Sequence, residues 1–141
     1  MRKTIPKYTR ELVYAKCNGH CAYCGCDLEY KNMQVDHVIP LNGWSEQGSD
    51  TIDNMLPACR SCNHYKSRST LEGFRQMLEA MPDTLMRDCV TYKNAVRFGL
   101  VIPNKRPIKF YFEKLSKLDV TNALEIAKAG GRGNVNTESK S

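Results

Sequence analysis

The stretch "CRSC", Cys59–Cys62, answers an earlier "CAYC", Cys21–Cys24, across 34 intervening residues. Each Cys-x-x-Cys knuckle can present two thiolates from one tight turn, and two knuckles complete a tetrahedral zinc site. Four thiolates fill the coordination sphere, so the zinc expected on Cys21, Cys24, Cys59 and Cys62 is structural. In a small domain such a site can supply much of the folding free energy. The chain holds seven cysteines, an odd number that prevents complete internal disulfide pairing. In a reducing compartment, paired cysteines point to metal instead. Cys17 and Cys26 flank the first knuckle closely enough to compete as ligands. The alternative is that they and Cys89 are small buried hydrophobes.

Between the knuckles lies "QVDHVIP", Gln34–Pro40. Asp36 and His37 interrupt an apolar, strand-like run, and burying such side chains is costly unless something satisfies them. Two short strands are expected, around Gln34–Ile39 and Asn54–Pro57. They are joined by a polar loop, "LNGWSEQGSD", in which Trp44 is expected to pack. Neighbours on an ideal strand face opposite sides, so the first strand must twist or end early if Asp36 and His37 serve one site. A helix is expected from about Arg60, carrying Cys62 to Arg68.

Outside the knuckles the patterning is helical. "YTRELVYAKC", Tyr8–Cys17, has apolar residues at helix spacing. "STLEGFRQMLEAMP" opens with a capping-box pattern from Ser69 to Glu72. It carries Phe74, Met77, Leu78 and Met81 on one stripe and stops at Pro82. A second amphipathic helix is expected over about 83–98, with Leu85, Cys89, Tyr92 and Val96 inward and Gly99 as its stop. "PIKFYFEKL", Pro107–Leu115, reads as strand or helix. We therefore expect a core over 1–70, a mainly helical extension over 71–129 and a disordered tail over 130–141.

Net charge is +6 and the pI about 9.0, and the distribution is more informative than the total. Residues 1–16 carry five basic side chains against Glu11, whereas residues 17–59 carry Lys31 against six acids. Residues 60–70 then add Arg60, Lys66 and Arg68 with no acid, and residues 87–118 carry eight basic side chains against Asp88 and Glu113. An acidic centre between basic arms fits a divalent cation with a polyanion lying across it. No run approaches the length of a membrane helix, and the N-terminus lacks a signal peptide's apolar core. A cytoplasmic protein without membrane partners is expected.

The order Cys-x-x-Cys, Asp-His, Asn, then Cys-x-x-Cys-Asn with Lys66 close behind resembles the HNH endonucleases, in the cysteine-rich branch of phages and bacteria. The resemblance covers about residues 12–70. It implies an α+β fold: a small ββα-metal, treble-clef-like core with the structural four-cysteine zinc site, here followed by the helical extension. It also implies roles. His37 would be the general base and Asn54 the residue that holds the loop and orients it, while Asp36 and Asn63 would bind the catalytic metal. Hard oxygen ligands suit Mg²⁺ or Mn²⁺. Lys66 and Arg68 would clamp adjacent phosphates.

The implied activity is metal-dependent hydrolysis of DNA phosphodiester bonds, most readily in double-stranded DNA, inside a bacterial or phage-infected cell. A neutral imidazole suits a base acting near pH 7. His64, beside Asn63, competes for the ligand position, because helical neighbours diverge by about 100°. Two other readings compete: a non-catalytic zinc-stabilised nucleic-acid-binding module, and an RNA-directed nuclease. Oligomeric state is not legible in this sequence.

Overall fold

A computed structural model describes residues 4–115 apart from Ser45. The expected tail over 130–141, and the part of the extension beyond residue 115, lie outside the described residues. The first helix, α1 (Lys7–Ala15), buries Leu12 and Val13. Positive φ at Asn18 and Gly19 then turns the chain back into a tight hairpin bridged at His20 and Asp27. The first knuckle occupies that hairpin. Gly25 at its tip has φ +80°, and a side chain there would also press on the Tyr111 ring, so the turn calls for glycine on two counts.

Strands β1 (Gln34–His37) and β2 (Met55–Ala58) pair antiparallel, with Gln34 opposite Ala58 and His37 opposite Met55. Helix α2 (Arg60–Lys66) follows β2 after one residue, and its N-cap is Cys59, whose sulfur accepts from the Cys62 amide. A predicted zinc ligand therefore also caps the helix that presents the next one. The Ala22 amide donates to the Pro57 carbonyl at 2.8 Å, which fastens the first knuckle to β2. Two strands, one helix and two knuckles thus form one continuous unit, as the α+β reading expects.

Two later segments of the described chain return to that unit. Helix α3 (Leu71–Glu79) is capped by Thr70, one residue later than the Ser69 cap expected, and the Thr70 hydroxyl accepts from Gly73. Its Phe74 stacks on Phe110 at 5.3 Å between ring centroids, and Tyr23 meets both rings edge-on. The segment 107–110 is neither helix nor strand, and α6 (Tyr111–Lys114) follows it. Backbone amides of Tyr111 and Phe112 donate to Tyr23 and Ala22. The ambiguous "PIKFYFEKL" is therefore helical only over Tyr111–Lys114 and irregular before it. Arg75 secures it, donating to both Glu113 carboxylate oxygens and to the Ile108 carbonyl while lying over the Phe110 ring.

The single helix expected over 83–98 is instead two, α4 (Met81–Asp88) and α5 (Val90–Arg97), separated at Cys89 by an extended backbone (φ −121°, ψ 105°). The run Asp88-Cys89-Val90-Thr91 is uniformly poor in helix propensity. Pro82 lies in the first turn of α4 rather than after α3, where its missing N–H costs nothing. Leu85, Cys89, Tyr92 and Val96 are only half-buried, so that stripe forms a secondary contact rather than a core. Among the described residues no helix is long and apolar enough to cross a membrane.

Candidate active site

The four knuckle sulfurs of Cys21, Cys24, Cys59 and Cys62 all lie within 4.8 Å of one another, with Cys24 and Cys59 at 3.9 Å. A tetrahedral zinc with bonds of about 2.3 Å holds its sulfurs about 3.8 Å apart, so the donor set and spacing fit. Backbone amides of Tyr23 and Cys59 donate to the Cys21 sulfur, each at 3.4 Å, which favours a thiolate there. The Cys62 thiol and these amides pull the Cys21 pKa down to about 4. The same bond to Cys21, with burial and the neighbouring sulfurs, pushes Cys62 up. Holding all four sulfurs as thiolates in this space would require a cation.

Of the remaining cysteines, Cys17 is buried as expected and burial raises its thiol to about 12. Cys26 is not a buried hydrophobe. It is exposed, with its thiol against Cys24 and Cys59, because the Gly25 turn carries it outward beside the tetrad.

A second centre is built around the end of β1. An open cleft of about 580 Å³ is lined by Asp36, His37, Asn63, His64 and Arg68, with Pro40 and Leu41 of the loop. Strand β1 ends at His37, and this early end lets adjacent residues serve one cleft. The Asp36 side chain turns inward beneath α2. Its Oδ2 accepts from the Tyr23 hydroxyl at 2.5 Å and pairs with the Lys66 ammonium at 3.2 Å. Both interactions fall on one oxygen, leaving Oδ1 as the one able to ligate a cation. Burial raises the Asp36 pKa, with Lys66 and Tyr23 opposing. The Asn63 amide nitrogen donates to Gln34 Oε1 at 2.7 Å, so its own oxygen is likewise the atom left for a ligand. Two oxygen donors suit a hard divalent cation held with few protein ligands.

Lys66 departs from expectation. Read from the sequence as a phosphate contact, it is fully buried, between Asp36 and the His37 carbonyl at 3.2 Å. Its ammonium is taken up inside the protein, so the role assigned to it as a clamp is corrected to that of a support for Asp36. Arg68 is exposed on the cleft, where a phosphate can reach it. Trp44, expected to pack, is 65% exposed with the Arg68 guanidinium over its ring at 5.3 Å. His64 is exposed and also lines the cleft, and His20 stacks on Tyr111 away from it.

His37 Nε2 lies 2.9 Å from Asp50 Oδ1, a partner that sequence reasoning missed. Asp50 is held there by Asn54. The buried Asn54 amide donates to the carbonyls of Ile39 and Ser49 and accepts from the Ile39 amide. It thereby ties both ends of the loop together and fixes Ser49 next to Asp50. Gly48 makes this closure possible, because a Cβ there would overlap the Ile39 carbonyl and the Asn54 amide. The only sequence signal for Asp50 was a carboxylate shortly before Asn54 in a polar loop.

The family model described as HNH endonuclease matches residues 21–69, the segment that contains the tetrad and most of the cleft. The CRISPR-associated endonuclease Cas9 of Corynebacterium diphtheriae is 38% identical over 53 residues, 37% of this chain and 5% of that protein. YoqL, an SPbeta prophage-derived protein of Bacillus subtilis named for the HNH endonucleases, is 29% identical over 65 residues, 40% of this chain and 28% of that protein. The crystal structure of the type II-C Cas9 enzyme from Actinomyces naeslundii aligns with a TM-score of 0.45 and 19% identity, over 96% of this chain and 14% of that one. The matched part of the chain therefore spans only a small fraction of these relatives' length. Residues 21–69, which carry the cysteine tetrad and the Asp36–His37 cleft, are the part of the chain that matches the HNH endonuclease family model.

Proposed function

We propose that this chain is an endonuclease that hydrolyses phosphodiester bonds in double-stranded DNA, with His37 as its general base. The observation that carries this reading is the convergence in one cleft of an oriented imidazole and two free oxygen donors. Asp50, engaging Nε2, holds the ring and its tautomer, so Nδ1 is the nitrogen left to take a proton from the attacking water. Asp36 and Asn63 would hold a divalent cation, Mg²⁺ or Mn²⁺, which when bound supplies positive charge against the negative charge that develops on the phosphate. Tyr23 and Lys66 keep Asp36 aimed into the cleft, Asn54 keeps the loop closed, and Arg68 on the rim draws the phosphate backbone.

We assign the tetrad a structural zinc, residues 1–70 the catalytic unit, and residues 71–129 the choice of substrate. We place the protein in the cytoplasm of a bacterium or a phage-infected cell, where thiols stay reduced.

The test is cleavage of supercoiled plasmid by zinc-replete protein, with and without added Mg²⁺ or Mn²⁺, alongside a folded His37→Ala variant. Nicking or linearisation that needs the cation and disappears in the variant supports the proposal. Asp50→Asn should retain binding and lose rate. If wild-type protein binds DNA yet cuts neither DNA nor RNA, the chain is a zinc-stabilised binding module and His37 has no catalytic role. Cleavage confined to RNA would overturn the substrate assignment alone.

A further inference from the structure

Trp44 is the only tryptophan in the chain, and 65% of its surface is open. Arg68 lies over its ring at 5.3 Å, and the loop that carries it is tied by the Asn54 bonds to Ile39 and Ser49 and by Gly48 donating to Pro40. Arg68 itself lines the cleft that holds Asp36, His37 and Asn63. A guanidinium lying over an indole can still direct N–H groups to a phosphate. The pair therefore offers a flat aromatic surface beside a planar cation at the mouth of the cleft. That is the chemistry of a strand-binding platform, where bases stack on aromatic faces while cations follow the backbone.

We propose that Trp44 and Arg68 form a stacking platform for an unpaired nucleobase of the strand whose phosphate enters the cleft. This rests on the nucleic-acid-binding part of the function proposed above and does not require cleavage. A base inside an intact duplex is already stacked on both faces, so the platform engages a duplex substrate only where a base is locally unpaired, and a single strand directly. Trp44 acts by stacking and Arg68 by charge, so the two residues have separable signatures.

Because Trp44 is unique, its fluorescence reports the platform directly. Zinc-replete His37→Ala protein, with no Mg²⁺ added, is titrated with a short oligothymidylate, a short oligoadenylate and a blunt duplex of the same length. Both single strands should quench Trp44, and the duplex should quench it less. Trp44→Ala, followed by the anisotropy of a labelled strand, should bind single strands about tenfold or more weakly with an unchanged salt dependence. Trp44→Phe should recover part of the loss. Arg68→Gln should weaken binding and reduce the salt slope by about one. Strand binding without quenching, or Trp44→Ala binding as tightly as its parent, overturns the platform. Quenching by a protein whose wild type never cuts would sink the nuclease reading and leave the platform standing. Cleavage by a protein with an unquenched Trp44 would do the reverse.

Discussion

Replacing Lys66 with methionine separates a phosphate clamp from a buried support. Methionine nearly preserves the volume of the aliphatic stem and deletes the ammonium. The Lys66 and Asp36 side chains are 0% and 6% exposed, with 3.2 Å between Nζ and Oδ2. At an effective dielectric of about 20, that separation corresponds to about 5 kcal/mol of attraction, offset by desolvation. Removing one partner leaves Asp36 buried with the Tyr23 hydroxyl as its remaining hydrogen-bond donor, and broken buried pairs typically cost about 3–5 kcal/mol. With a urea m-value of about 1–2 kcal/mol/M, the unfolding midpoint of Lys66→Met in saturating zinc should fall by about 3 M. The Lys66→Met/Asp36→Asn double variant should recover much of that loss, because it removes the orphaned charge and leaves the Tyr23 hydroxyl an acceptor. The salt slope of DNA binding should not change. A Lys66→Met protein within about 0.5 kcal/mol of wild type, with its salt slope reduced by about one, would refute the burial argument and restore Lys66 to the phosphate.

Two further outcomes follow from the tetrad and from the C-terminal packing. Cys24→Ser should lose bound zinc and, with it, the cooperative unfolding transition. Cys26→Ser, although its thiol lies against two tetrad members, should keep one zinc per chain, as read by metal analysis and near-ultraviolet circular dichroism. Equal metal loss in both variants would place Cys26 in the coordination sphere. The Arg75 bonds hold the Glu113 carboxyl below its ordinary value of 4.5. A depressed carboxylate stabilises fully above its unfolded pKa and loses that contribution only as pH falls through the lower folded value. Urea melts of wild type and Glu113→Gln should therefore differ by about 1–3 kcal/mol, and by the same amount at about pH 7 and about pH 5.5. A gap that has already closed at the lower pH contradicts the sign of that linkage.

What was legible in the sequence was whatever is encoded locally. The tetrad followed from the spacing within each knuckle, since two thiolates on one turn need no knowledge of the rest of the fold. Strands β1 and β2 followed from short apolar runs, and α2 from the knuckle that opens it. The cleft residues Asp36, His37, Asn54 and Asn63 were named through family resemblance, and the structure brings Asp36, His37 and Asn63 to one cleft with Asn54 closing its loop. Asp50 was not legible, because its approach to His37 depends on a loop closed by Asn54 and on an absent side chain at Gly48. The break at Cys89 was hidden by a hydrophobic stripe that continues across it, since periodicity does not register a stretch of weak propensity.

The two basic residues of the α2 region show why side-chain roles are harder to read than elements. Lys66 and Arg68 are two positions apart, both basic and both just after the second knuckle, and lysine is rarely found fully buried. Nothing in that local pattern distinguishes them. Ser67 does so through its backbone. As the helix C-cap it takes φ 52° and ψ −129°, a region that non-glycine residues seldom occupy. Lys66 therefore remains on the inward face of the last turn, where Asp36 and Tyr23 have already created a buried negative site. The chain then reverses direction, and Arg68 emerges on the cleft rim against Trp44. One cation is drawn inside because a carboxylate waits there, and the other stays outside because the turn that ends the helix carries it away. The division of labour follows from a tertiary partner and a single unusual dihedral angle.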